Sequence, residues 1–229
     1  MDLRERINDP EETIRAAIEQ HMSRVWTSAP VRVVSYDAGK QTVSLQVTTK
    51  AFIKQEDGSQ KAVDIPVLQD VRVQFPAGGG QTMTFPIAAG DEGLAVFTTR
   101  SPDGWQQSGS DSPPPDASVA SLSNGFFIPG VKSDPKALSD VSTSATEIRS
   151  DDGNTKISLS GAGGVGIATD KTVGIAAAQG VNIGSGAGET AITGTVRITG
   201  ELIVNGIVFS THKHTGVQPA GGTSEGPTN

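Results

Sequence analysis

Four aliphatic pairs, Ile157-x-Leu159, Val165-x-Ile167, Val173-x-Ile175 and Val181-x-Ile183, follow one another at eight-residue spacing. The phase then slips, and the pattern resumes in Val196-x-Ile198, Leu202-x-Val204 and Ile207-x-Phe209. Glycine-rich corners such as Gly161-Ala162-Gly163-Gly164 separate the pairs. Side chains two apart share one face of a strand, so each unit reads as a short strand with one apolar face and then a corner. A strand with two apolar side chains cannot bury them alone. Repeats of this kind need stacked neighbours to build a continuous core.

The spacing narrows how the neighbours are supplied. A single-chain β-helix uses about three strands per coil, hence a repeat nearer 20 residues or a tight six- or nine-residue one. Eight-residue units fit better when three identical chains share each layer and wind about one axis as a triangular prism. Each buried Val or Ile contributes roughly 1.5–3 kcal/mol, and the chain holds about 14 such positions. Ordering entropy offsets most of that gross sum. At about 4.8 Å per strand, about eight strands make a rod on the order of 40 Å long. Winding leaves unpaired edges only at the ends. A glycine-rich linker is the plainer reading, but a linker does not hold aliphatic pairs in register. A single-chain β-sandwich is the other.

Composition supports extended β architecture in thin layers: aromatics make up only 4% of the chain, and glycine reaches 28 residues. The net charge of -7 argues against a nucleic-acid-binding surface. The absence of cysteine excludes disulfides and cysteine-based metal sites. No apolar run is long enough for a transmembrane helix, and the charged start lacks a signal-peptide core.

Ahead of the repeat, 1–29 reads as a helix. Asp9 can cap it, Pro10 suits its first position, and Ile14, Ile18, Met22 and Val25 form one stripe. That stripe has to dock on its own assembly or on another protein, because one short helix is marginal alone. His21 beside it reads as a solvated histidine. Residues 30–105 read as five or six short strands, opened by Val31–Val34 and Val43–Val47 around the turn Asp37-Ala38-Gly39-Lys40. Their size suits a small closed barrel of the OB-fold type. Residues 106–144 read as a linker, with Ser112-Pro113-Pro114-Pro115 and an apolar anchor at Asn124–Gly130. The repeat region spans 145–209 and the tip 210–229.

Two of the three histidines stand in the tip, His212 and His214. One chain offers two nitrogen ligands, too few for a stable site. Three chains closing at an axis offer six imidazoles, since residues i and i+2 of an extended chain face one side. Lys213 then points outward. Zinc prefers four ligands, so a six-nitrogen set suits iron, nickel or cobalt, and abundance favours iron. No coordination position stays open, so such an ion would be structural.

These residues resemble the central spike of contractile phage tails, the baseplate assembly protein V type, with related spikes in type VI secretion. The resemblance rests on His212-x-His214-x-Gly216-Val217 with Gly222-Thr223-Ser224 and Gly226-Pro227. It rests also on Phe85-Pro86-Ile87 with Gly90-Asp91-Glu92-Gly93-Leu94, Phe97, Arg100 and Trp105, and on Ser123–Gly130. Glu225 departs from similar tails, which often carry a small residue there. The resemblance covers most of 30–229 and not the N-terminal helix.

It implies an all-β homotrimer: an N-terminal OB-fold barrel, then an intertwined trimeric triple-stranded β-helix with a metal-bearing tip. One iron ion per trimer would be held by six histidines, His212 and His214 of each chain. The spike would be assembled in the host cytoplasm and carried at the virion's tail baseplate tip. There it would contact the tail hub, tube and baseplate proteins, breach the host outer membrane transiently during contraction, and bind no nucleic acid. The expectation is a structural protein, not an enzyme. A tailspike-type β-helix that binds or degrades polysaccharide would need paired carboxylates beside a groove. Asp151-Asp152 and Asp91-Glu92 both read as turns without aromatic neighbours. An OB-fold binding module is the remaining alternative.

Overall fold

The computed structural model describes residues 10–23, 25–184, 186 and 188–211. These divide into two compact units, 1–168 and 169–229.

The first unit opens with α1 (Pro10–Met22), which has Pro at its start, two glutamates in its first turn and no buried residue. Ile14, Ile18 and Met22 all lie exposed. A closed five-stranded barrel follows, ordered β1 (Ser28–Asp37), β2 (Thr42–Val47), β5 (Leu68–Val73), β9 (Gly125–Pro129) and β8 (Glu92–Phe97). Alternation selects its core: Ala29, Val31 and Val33 of β1 point in, as do Val43, Leu45 and Val47 of β2. Val71, Val73, Ala95, Phe97 and Phe127 complete the interior. The turn between β1 and β2 forms as its residues dictate, with Asp37 Oδ1 accepting the N–H groups of Gly39 and Lys40 at 2.9 and 3.1 Å. A register shift after Val33 sets Val34 outside.

Barrel closure uses a strand from the stretch read as a linker. β9 lies parallel to β5 (Arg72 opposite Phe126, Val73 opposite Phe127) and antiparallel to β8. The apolar anchor is therefore the fifth barrel strand. Gly93 is required where β8 crosses it: a Cβ there would stand 2.4 Å from the Phe127 ring and 2.5 Å from the Ile128 carbonyl oxygen. Gly90, at φ +96, makes the turn into β8.

Two hairpins leave the barrel between β2 and β8: β3 (Ala51–Lys54) with β4 (Gln60–Val63), and β6 (Ala77–Gly78) with β7 (Gln81–Thr82). Between β8 and β9, the short α2 (Asp103–Ser108) sets Trp105 against Phe126, ring centroids 6.2 Å apart. Beyond the barrel, β10 (Thr146–Arg149), β11 (Lys156–Ser160) and β12 (Gly164–Ala168) form an antiparallel meander.

The second unit is sparse in regular structure. No strand is assigned among the described residues between Ala168 and Ile203, and a hairpin of β13 (Ile203–Val204) and β14 (Ile207–Val208) closes the described part.

Candidate functional site

The meander carries the aliphatic repeat, and it is built inside out. Ile148, Ile157 and Ile167 stand directly opposite one another across the three strands, and so do Thr146, Leu159 and Val165. The five aliphatics share one face, and that face is open: Ile157 is 41% exposed and Val165 71%, with the others between. The other face carries Glu147, Arg149 and Lys156, and the first two of these are covered. The Glu147 and Arg149 side chains are each only 9% exposed. Glu147 accepts a hydrogen bond from Lys156 Nζ at 3.1 Å and stands 3.8 Å from Arg149. Arg149 donates to the Asp140 carbonyl at 2.7 Å.

A half-covered sheet ordinarily buries its apolar side and wets its polar side. The opposite arrangement here leaves an apolar sheet face uncovered among the described residues. In the second unit, Val173, Ile175, Val181, Ile183, Val196 and Ile198 are likewise at least half exposed. Among the described residues the repeat thus builds no core of its own. It differs from the expectation at one point, because the first two repeat units pair with each other in the same chain. The corner Gly161–Gly164 turns the strand back, with Gly164 at φ +72.

The last hairpin leads toward the tip. Asn205 and Gly206 adopt φ of +50 and +80, which suits the tight turn that hairpins favour. Phe209 N–H donates to the Leu202 carbonyl at 2.8 Å. Glu201 then grips Ser210 twice, accepting its hydroxyl and, at 3.1 Å, its N–H. These two bonds, the hydroxyl's first, hold the Glu201 carboxyl below its ordinary range. His212 and His214 follow directly and lie outside the described residues. Among the described residues, no group of three His, Cys, Asp or Glu side chains could hold a metal ion. His21 sits exposed on α1.

The motif 90–94 also acquires a physical account. Gly90 N–H donates to the Val33 carbonyl at 2.9 Å, and Asp91 Oδ2 accepts Ala88 N–H at 2.8 Å. Glu92 accepts Ser133 N–H at 2.7 Å and pairs with Lys136 at 3.4 Å. The Ser133 backbone bond is the main reason its carboxyl is held low. These carboxylates fasten loops, and of the pair read as a turn only Asp91 lies outside a strand, since Glu92 opens β8.

Two family models match the chain. Phage protein Gp138 N-terminal domain matches residues 29–130, a span that takes in the whole barrel, β9 included. The GpV Apex motif matches 206–228, starting in the last hairpin and containing His212 and His214. Both models describe phage baseplate spike families, and the chain is similar to them over these two stretches. No curated protein matches it. Residues 131–205, which hold the meander and most of the repeat, lie between the two matches. α1 lies outside both.

Proposed function

We propose that this chain is the central spike of a contractile phage tail, assembled as a homotrimer that breaches the host outer membrane during contraction. The observation that carries this reading is the sheet with its aliphatic face open and its charged face covered. Second and third copies supply what that face and the ladder beyond it lack, and closed symmetry limits the assembly. The barrel, with five strands and one parallel pair, is read as an OB-fold. The repeat beyond it is read as an intertwined triple-stranded β-helix, whose strands from 173 to 198 pair between chains. Interwound chains resist separation under load, as a needle must. Among the described residues no helix is long and apolar enough to cross a membrane, and a piercing body requires none.

His212 and His214 of the three chains would hold one iron ion at the tip. Six neutral imidazoles form a complete donor set, so the ion would supply cohesion to chain ends that otherwise fray. The spike would be assembled in the host cytoplasm, join the tail hub, tube and baseplate proteins, and act as a structural part rather than an enzyme. Native mass combined with elemental analysis tests this. Three chains and one transition-metal ion per particle are expected. Replacing His212 and His214 together by alanine should remove the metal while three chains stay associated. A metal-free monomer would overturn the reading.

A further inference from the structure

A groove of about 540 Å³ lies where the barrel meets the inside-out sheet. Phe85, Pro86 and Ile87, from the segment ahead of β8, form one wall with Pro129 at the end of β9. Ile148 of β10 lines the same groove. Phe85 is held by an edge-on contact with Phe75, ring centroids 5.4 Å apart. The volume falls in the range of binding clefts.

The charges around this groove are already engaged. Lys132 pairs with Asp151, and Glu92 with Lys136 and Ser133. Asp91 is held by Ala88 N–H. Arg149 donates to the carbonyls of Asp140, Ser150 and Asp151. Both cations of the groove, Lys132 and Arg149, are already paired, so an anion finds no free cation there. An apolar side chain would lose nothing and would bury the Phe85–Ile87 wall.

Ile148 decides whose side chain that is. It belongs both to the groove and to the open row Ile148–Ile157–Ile167. Any chain that covers the row must therefore pass the mouth of the groove. We propose that the groove is a socket for an apolar segment of a second copy of this chain, so that the barrel and the sheet are gripped by the same neighbour. This rests on the self-association reading above and extends it to the barrel.

The absence of cysteine makes the test direct, because a single introduced thiol is the only one in the chain. Full-length Pro86→Cys, Ile148→Cys and Gln60→Cys are assembled, sized by native mass spectrometry, and alkylated. All three positions are exposed in the single chain. Both Pro86→Cys and Ile148→Cys are expected to react at least about tenfold more slowly than Gln60→Cys. Phe85→Cys replaces Pro86→Cys if the latter does not fold. An oligomer that protects Ile148→Cys while position 86 or 85 reacts like position 60 overturns the socket alone and leaves self-association standing. An oligomer in which Ile148→Cys reacts freely overturns the socket as well. A monomer with all thiols reactive overturns both.

Discussion

The barrel and the meander use the same alternating pattern and come to opposite ends. In β1 and β2 the apolar alternates point inward and lie at or below 3% exposure. In β10 to β12 the apolar alternates point to solvent, while Glu147 and Arg149 are covered, Arg149 bonding the loop carbonyl of Asp140. Both stretches are strands of similar length and both are antiparallel in the main. The barrel, however, closes on itself through β9, and the meander has only three strands and no facing layer. Alternation therefore reports that a strand has an apolar side. It does not report whether the same chain covers it.

The sharpest way to break this contrast is to charge the open face. Ile157→Asp with Ile167→Asp should abolish assembly, taking native mass from three chains to one, while barrel melting followed by Trp26 and Trp105 fluorescence stays unchanged. A variant that still assembles would mean that the face is not the interface. A smaller effect is expected on the other side of the comparison. Leu45 is fully buried in the barrel, and Leu45→Ala should cost about 2–5 kcal/mol by denaturant titration with no change in native mass. Loss of assembly in that variant would join the two regions into one cooperative unit.

The smallest effect concerns the hairpin beneath the tip. Glu201 has its folded pKa depressed by Ser210. Its stabilisation is thus fully present above the ordinary glutamate value of about 4.3 and fades as pH falls through the lower folded value. Protection of the Phe209 and Ser210 amides, measured against their intrinsic exchange rates, should fall over that acidic window. Glu201→Gln should show the lower protection already at neutral pH and lose the acid dependence. An unchanged profile would remove the clamp from the account.

Much of the first region could be read from residues alone. The helix start at Pro10, the Asp37 turn and the strands β1, β2 and β8 all follow local rules. The hairpin β3–β4 and the strand β9 did not stand out. β9 is five residues between a proline-rich stretch and Gly130, and it pairs in parallel with β5, some fifty residues earlier. Nothing nearby announces a partner that distant. Conversely, Val63–Val67 and Met83–Ile87 look like strands, but the chain ends β4 at Val63 and forms no strand over 83–87. The latter segment becomes a wall of the groove, where the edge-on contact of Phe85 with Phe75 outweighs propensity. Of the tip, the pattern His212-x-His214 is legible in the residues, while the described structure ends at Thr211.

Periodicity, turn chemistry and the supply of imidazoles are properties of neighbours along the chain, so the order of residues was enough to establish an aliphatic repeat, strands at its two ends, and two histidines beyond it. Which strand completes the barrel, and which face of the meander is covered, depend on contacts between residues far apart. Those came into view only with the folded chain, because burial is a property of surroundings and not of a segment. The inversion of the sheet is the clearest instance: the same Ile and Val that would build a core in the barrel lie open here, since their own chain spends its loops on Glu147 and Arg149 instead.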